Sequence, residues 1–360
     1  TVGNVMKYAT DQFGISREKV AFFIHALAGS MVILLPISSW VATLTGYLSQ
    51  AGINSTISEK SLLIADPFSV YLATIPFIFY SFLIFSSILF IIFFRIPFPS
   101  QTTIHQKESL KNNSFLKEKN ASFDLFFPLI LLISLVIIGI LYTGKATLFG
   151  GTRSCFDAFR NNDEIFFILF SSSCITLIST IMLGLVRHTL KLKNIPSFCK
   201  EGYRIMKTAI IMVILASTLG SLLKNDLMTG HYLASLVLHN VSLTVIPFIC
   251  FITSLAATLA TGSAWGTFSF MIAIVIPMLT SLYNITGISY PQDIPLLLPT
   301  LGAIFSGGIC GDHISPFSET TIMAASATDI EPMVHSQSQF LYALPACLGT
   351  AAAFLTIGYL

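Results

Sequence analysis

"GGICGDHISPFSETTIMAAS", residues 307–326, places Asp312, His313 and Glu319 between two apolar runs, "IPLLLPTLGAIF" (294–305) and "FLYALPACLGTAAAFL" (340–355). Each charge buried at membrane depth costs about 2.5 to 3.5 kcal/mol on insertion scales, so such residues mark ion or proton sites unless they lie in a solvated turn. The rest of the chain decides between the two. It has 360 residues, 54% apolar and only 10% charged, where a soluble protein carries about 25% charged residues. Its apolar residues also fall in blocks long enough for a bilayer, which a helix crosses in roughly 20 residues. The fold class that follows is an all-α integral membrane protein.

The blocks run 20–48 ("VAFFIHALAGSMVILLPISSWVATLTGYL", interrupted at Pro36), 66–94, 124–142, 164–186, 208–223, 232–262 and a following run to Tyr283. Residues 294–311 come next, ahead of a last span from about 339 to 360. More than half of the 19 Lys and Arg sit in two stretches. One carries Arg95, Lys107, Lys111, Lys117 and Lys119; the other carries Arg187, Lys191, Lys193, Lys200, Arg204 and Lys207. Two spans separate them, so both face one side, which the positive-inside rule makes the cytoplasm; Arg17 and Lys19 ahead of the first block agree.

Gly, Ser and Pro interrupt the blocks in both halves, the sequence sign of discontinuous transmembrane helices, where transporters bind ions. "PISSWVATL" (36–44) and "PFSETTIMA" (316–324) share a Pro–apolar–Ser–polar start, a faint internal repeat of the kind inverted-repeat transporters show. In the second copy Ser315 and Pro316 read as a helix start, with Ser315 as the cap and Glu319 in the first turn near the positive end of the helix dipole. That accounts for Glu319 without transport. It does not account for Asp312 and His313.

In "ATLATGSAWGTFSF" (257–270), Thr261, Ser263 and Thr267 offer hydroxyl oxygens, while Gly262 and Gly266 leave carbonyls open. A hard cation uses such oxygens, and close helix packing uses the same small residues. "KNDLMTGH" (224–231), with Asp226 and His231, reads as a solvated turn, and His25 and His239 as histidines packed within apolar blocks. The six cysteines have no paired spacing for a disulfide framework or zinc site. A net charge of +2 gives no reason to invoke nucleic acid. No phosphate-binding loop, HExxH or GxSxG motif is present, so neither ATP-driven pumping nor an enzyme reading has residues to rest on.

"GDHISPFSETTIMAAS" resembles the G-D-H-x-S-P-[IL]-S-[DE]-T-T signature of NhaC-type Na⁺/H⁺ antiporters, and "TGSAWGTF" is similar to their T-G-T-S-W-G-T-F element. "LASTLGSLLKNDLMTGHYLA" and the N-terminal "TVGNVMKYATDQFGISREKVAFF", with "PISSW" after it, resemble further stretches of an NhaC-like branch. The resemblance implies a multi-pass antiporter of the bacterial inner membrane, with inverted repeats and broken or re-entrant helices. It implies one transporter domain over 1–360, a fragment of the family length. Residues 20–95 would end the N-terminal repeat, 96–123 would be a cytoplasmic loop, 124–207 the middle spans and basic loop, and 208–360 the C-terminal repeat with the ion motif.

Carried over to this chain, the ion-binding or coupling residues are Asp312, His313, Ser315, Ser318, Glu319 and Thr320, then Thr261, Ser263 and Thr267, and Ser38 and Ser39, with Na⁺ at Asp312 and Glu319. No cofactor is implied. The partners are Na⁺, H⁺ and the lipid bilayer, with a homodimer left open as the assembly. Three departures stand out. Upstream spans and an acidic D-D-Y-F-N stretch are expected before Thr1. His25 and Ser30 stand where the branch shows an intramembrane Asp and a Pro. Glu319 stands where Asp is usual. The expected activity is exchange of Na⁺ for H⁺. Exchange of an organic carboxylate or amino acid on the same fold, with the anion cradled at the half-helix near Ser315, is the first alternative. A truncated, non-transporting remnant or subunit is the second.

Overall fold

The computed structural model describes residues 10–36, 38–55, 61–98, 121–154, 158, 165–187, 189–200, 202–203, 207, 218, 222, 232, 242–283 and 290–358. Most of the first basic stretch, nearly all of the 208–223 block, Asp226, His231 and His239 lie outside the described residues. The chain divides into two compact units, residues 109–208 and the remainder on either side of them.

In the larger unit, α1 (Arg17–Leu34) is followed by α2 (Ser39–Gln50), two short paired strands (β1, Ile53–Asn54; β2, Leu63–Ile64), α3 (Pro67–Thr74) and α4 (Phe79–Phe93). After the smaller unit come α7 (Ile246–Thr261), α8 (Ala264–Leu282), α9 (Leu297–Ile314), α10 (Glu319–Ala327) and α11 (Pro332–Ile357). The smaller unit pairs α5 (Ala121–Thr143) with α6 (Ile165–Val186) around Val136, Ile140 and Ile168. Phe126, Ile130, Phe167 and Phe170 on its outer surface are each more than half exposed, an apolar exterior that suits lipid rather than water.

Among the described residues, five helices are long and apolar enough to cross a membrane: the segments Phe126–Thr143, Phe167–Val186, Leu243–Thr261, Ala264–Leu282 and Pro332–Ile357. The pair Pro67–Phe77 and Phe79–Phe93, bent by 44°, makes a sixth if counted as one span. Its bend at Pro76 and Ile78 falls inside what reads in sequence as a single block. The last helix begins at Pro332, ahead of the position near 339 expected from hydropathy.

Helix ends inside an apolar unit must find partners for their free N–H groups within the protein. The sequence supplies them. Ser16 caps α1, Ser38 caps α2, Asp66 caps α3 with Pro67 behind it, Ser263 caps α8 and Ser318 caps α10. The two copies of the faint repeat therefore do the same local work. Each follows an 18-residue helix, α1 or α9, and each uses its serine to open the next helix. The cap in the second copy is Ser318, not Ser315. Ser315 instead closes α9, with its Oγ donating to the Leu259 carbonyl at 2.9 Å.

Glycine brings α9 against α7. A Cβ on Gly307 would collide with the Phe251 carbonyl oxygen, and one on Gly311 would lie 2.6 Å from that of Leu255. Numbers rise together along both helices, so α7 and α9 run in the same direction. The start of α7, the end of α8, the start of α9 and the end of α11 line one cavity through Leu243, Tyr283, Leu296 and Ile357. The α7–α8 pair is thus a helical hairpin whose tip is Gly262–Ser263. Gly262 has a φ of +67°, and a Cβ there would meet the Phe317 carbonyl at 2.6 Å. The tip of one motif is seated on the backbone of the other.

Candidate functional site

Asp312 lies in the last turn of α9, buried at 8% exposure. Its Oδ1 accepts from Ser318 Oγ at 2.7 Å, and its Oδ2 accepts from Thr320 Oγ1 at 2.5 Å. The two hydroxyl oxygens are themselves 2.7 Å apart. The chain turns sharply between Ile314 and Glu319, with Thr321 Oγ1 donating to the Ser315 carbonyl at 2.7 Å, and this folds the α10 hydroxyls back over the α9 carboxylate.

Three histidines adjoin this cluster. His25, on α1, puts Nε2 2.9 Å from Thr320 Oγ1 and Nδ1 3.2 Å from both His335 Nε2 and Gln339 Oε1. Gln339 Nε2 donates to the His313 carbonyl. The His313 ring lies 4.8 Å from that of His25, and its Nδ1 is 2.6 Å from the Tyr80 hydroxyl of α4. His313 Nε2 and His335 Nδ1 are buried and make no hydrogen bond among the described residues. Helices α9 and α10 supply the carboxylate and its two hydroxyl partners, and α1, α4 and α11 bring His25, Tyr80, His335 and Gln339 alongside.

The expected residues separate into two groups. Asp312, His313, Ser318 and Thr320 are brought together. Glu319 opens α10 half-buried, and among the described residues it is not one of the groups hydrogen-bonded to Asp312. Ser263 caps α8, Thr261 Oγ1 donates to the Ala257 carbonyl at 2.8 Å, and Thr267 Oγ1 donates to that of Ser263 at 3.2 Å. These hydroxyls serve the hairpin tip, which meets the 315–318 turn where Gly262 lies against the Phe317 carbonyl and where Ser315 Oγ donates to the Leu259 carbonyl. Ser38 Oγ donates to the Val32 carbonyl at 2.9 Å and Ser39 opens α2. The two motifs meet at Trp40 and Trp265, whose ring centroids are 4.5 Å apart.

Sequence reasoning missed Tyr80, His335 and Gln339, and read His25 from its sequence block alone as packing. The usable signal was the i, i+4 spacing of His335 and Gln339, which puts two polar side chains on one face of an otherwise apolar helix. Among the described residues no group of three or more His, Cys, Asp or Glu side chains is arranged to hold a metal ion.

Apolar helices of membrane-spanning length define a multi-pass membrane protein, and the family match makes it a transporter rather than an enzyme. The chain belongs to the Na⁺/H⁺ antiporter family, whose profile matches residues 31–359. It is 28% identical to an uncharacterized protein of Haemophilus influenzae, a match covering 99% of this chain and 67% of that one. It is 26% identical to the malate-2H⁺/Na⁺-lactate antiporter of Bacillus subtilis, over 43% of this chain and 30% of that protein. No solved structure matches the chain.

Proposed function

We propose that this chain is a secondary antiporter in which Na⁺ and H⁺ compete for Asp312. One observation carries the reading: a count of hydrogens. Asp312, Ser318 and Thr320 make three mutual oxygen–oxygen contacts of 2.5 to 2.7 Å. Two hydroxyls supply two hydrogens. A protonated carboxyl supplies the third and closes the ring, with Asp312 donating to Thr320, Thr320 to Ser318 and Ser318 back to Asp312. When that proton leaves, both hydroxyls turn to the carboxylate and the Ser318–Thr320 contact is left without a hydrogen. The oxygens then suit a hard cation, which takes oxygen ligands. Proton and Na⁺ exclude each other because they complete the same cluster.

On this reading the interruptions after Ile314 and Leu34 are breaks in membrane-spanning helices, and the α7–α8 hairpin supports the first of them from the side. Glu319 supplies a second negative charge one residue from Ser318. Asp312→Asn, reconstituted in liposomes, keeps the shape of the side chain and is expected to lose Na⁺-driven proton movement.

The Bacillus subtilis relative favours a second reading, in which an organic carboxylate is carried along with Na⁺ and H⁺. Counterflow of labelled Na⁺ against labelled dicarboxylate in the same liposomes separates the two.

A further inference from the structure

Hydrogen-bond contacts run from the carboxyl into α11: Asp312 Oδ2 to Thr320 Oγ1 at 2.5 Å, Thr320 Oγ1 to His25 Nε2 at 2.9 Å, and His25 Nδ1 to His335 Nε2 at 3.2 Å. Gln339 decides where the hydrogens sit. The His313 carbonyl can only accept, so the end of the Gln339 amide that faces it is the NH₂, and Oε1 is the end that faces His25 Nδ1. An acceptor there calls for the hydrogen of His25 on Nδ1. A neutral imidazole has one such hydrogen, so His25 Nε2 presents a lone pair to Thr320. The same Nδ1–H faces His335 Nε2, which is therefore the bare nitrogen of its ring, and the His335 hydrogen sits on Nδ1. That Nδ1 is buried without a hydrogen bond among the described residues, in the first turn of α11 behind the exposed Glu331. His313, 4.8 Å from His25 between ring centroids, stands beside this chain, with its Nδ1 taken by the Tyr80 hydroxyl.

We propose that Thr320, His25 and His335 are the path by which Asp312 loses and regains its proton. In the closed ring the Thr320 hydrogen points at Ser318, 2.7 Å away, and the proton is held. Turned about its C–O bond toward His25 Nε2, that hydrogen completes a chain in which every donor points the same way, while Ser318 goes on donating to Asp312. Transfer then breaks the Asp312 O–H bond as Thr320 Oγ1 takes the proton. The hydrogen that Thr320 held passes to His25 Nε2, the Nδ1 hydrogen of His25 passes to His335 Nε2, and His335 Nδ1 gives its own to water at the α11 end. One proton has left, Asp312 is ionised, and both imidazoles are neutral again with their hydrogens on the opposite nitrogens. A proton arriving at His335 Nδ1 runs the same steps backward. Na⁺ cannot take this route, because each step exchanges one hydrogen for another across a bond. The inference rests on the Asp312 reading above and adds two residues, from α1 and α11, that the cation does not need.

The test compares two exchanges in liposomes holding the full chain. Na⁺/H⁺ exchange, read with an entrapped pH-sensitive dye, needs the proton path. Exchange of labelled for unlabelled Na⁺ at equal concentrations moves no proton. His25→Gln and His335→Gln keep a polar side chain in place but put an amide, which does not relay protons, into the chain. In each variant Na⁺/H⁺ exchange should fall about a hundredfold, the low end of what a positioned proton-transfer group contributes. Na⁺/Na⁺ exchange should continue at the wild-type rate, which also shows that the variants fold. Wild-type Na⁺/H⁺ exchange in either variant would overturn the proposal. So would loss of both exchanges together, which would reduce the histidines to packing. Asp312→Asn, measured alongside, keeps the two claims apart. If Na⁺/Na⁺ exchange survives in that variant, the carboxylate reading fails. If it is lost there while His25→Gln and His335→Gln keep their Na⁺/H⁺ exchange, only the proton path falls.

Discussion

At the scale of single residues, Thr320 is the joint of the site, since its one hydroxyl touches Asp312, Ser318 and His25. Thr320→Val keeps the side-chain volume and deletes those three contacts. A buried group left without its partner costs about 1 to 3 kcal/mol, so exchange is expected to fall by at least tenfold while the protein still inserts; flux in liposomes normalised to protein content measures it. His25→Asp tests the same corner from the opposite direction. It places a carboxylate where the resemblance to the NhaC-like branch implies one, so Na⁺ should stabilise the variant more strongly than the wild type. Equal or weaker stabilisation would place His25 outside the ion site. Asp312 was legible in the sequence because a charge within an apolar run is costly unless nearby polar groups or an ion answer it; Ser318 and Thr320 entered only through the resemblance of the motif around them. Tyr80 was not, because a tyrosine in a run of phenylalanines looks like any other aromatic until the opposite helix is seen. Ser315 and Ser318 compete for the same cap, and only the path of the chain decides that Ser318 takes it.

At the scale of helices, the site depends on close approach between α7 and α9 and on the seat of the α7–α8 tip. Gly311→Ala adds a methyl group 2.6 Å from the Leu255 carbonyl oxygen, and overpacking of this kind costs about 1 to 3 kcal/mol. A lower thermal midpoint and reduced exchange are expected together, because Asp312 is the next residue. Gly262→Ala faces both a positive φ and the Phe317 carbonyl, and should lower the midpoint further; equal midpoints in wild type and Gly262→Ala would mean that the tip does not support the 315–318 turn. The interruption of the first block at Pro36 and the Gly262 tip could be read ahead of the structure, since proline and glycine punctuate helices by their own backbone limits. The bend at Ile78 and the early start of α11 could not. Hydropathy averages over a turn or more, and the polar face of α11 carrying His335, Ser336 and Gln339 lowers the signal where that helix begins.

At the scale of the whole molecule, composition was enough to assign the class, because a chain with this little charge cannot cover apolar blocks of this length with a water-facing surface. The basic stretches are expected to face the cytoplasm, so cysteines introduced as Lys117→Cys and Lys200→Cys should resist membrane-impermeant thiol reagents added outside intact cells. Ready labelling of both would overturn that expectation. The exchange proposed here has one central requirement, that a proton and a cation alternate on Asp312. The most direct measurement is Na⁺-driven proton flux in liposomes, read with an entrapped pH-sensitive dye, for wild type and Asp312→Asn. Alkalinisation or acidification that follows the Na⁺ gradient in the wild type and disappears in Asp312→Asn is the predicted result. Wild-type flux in Asp312→Asn would contradict it and remove this carboxylate from the exchange.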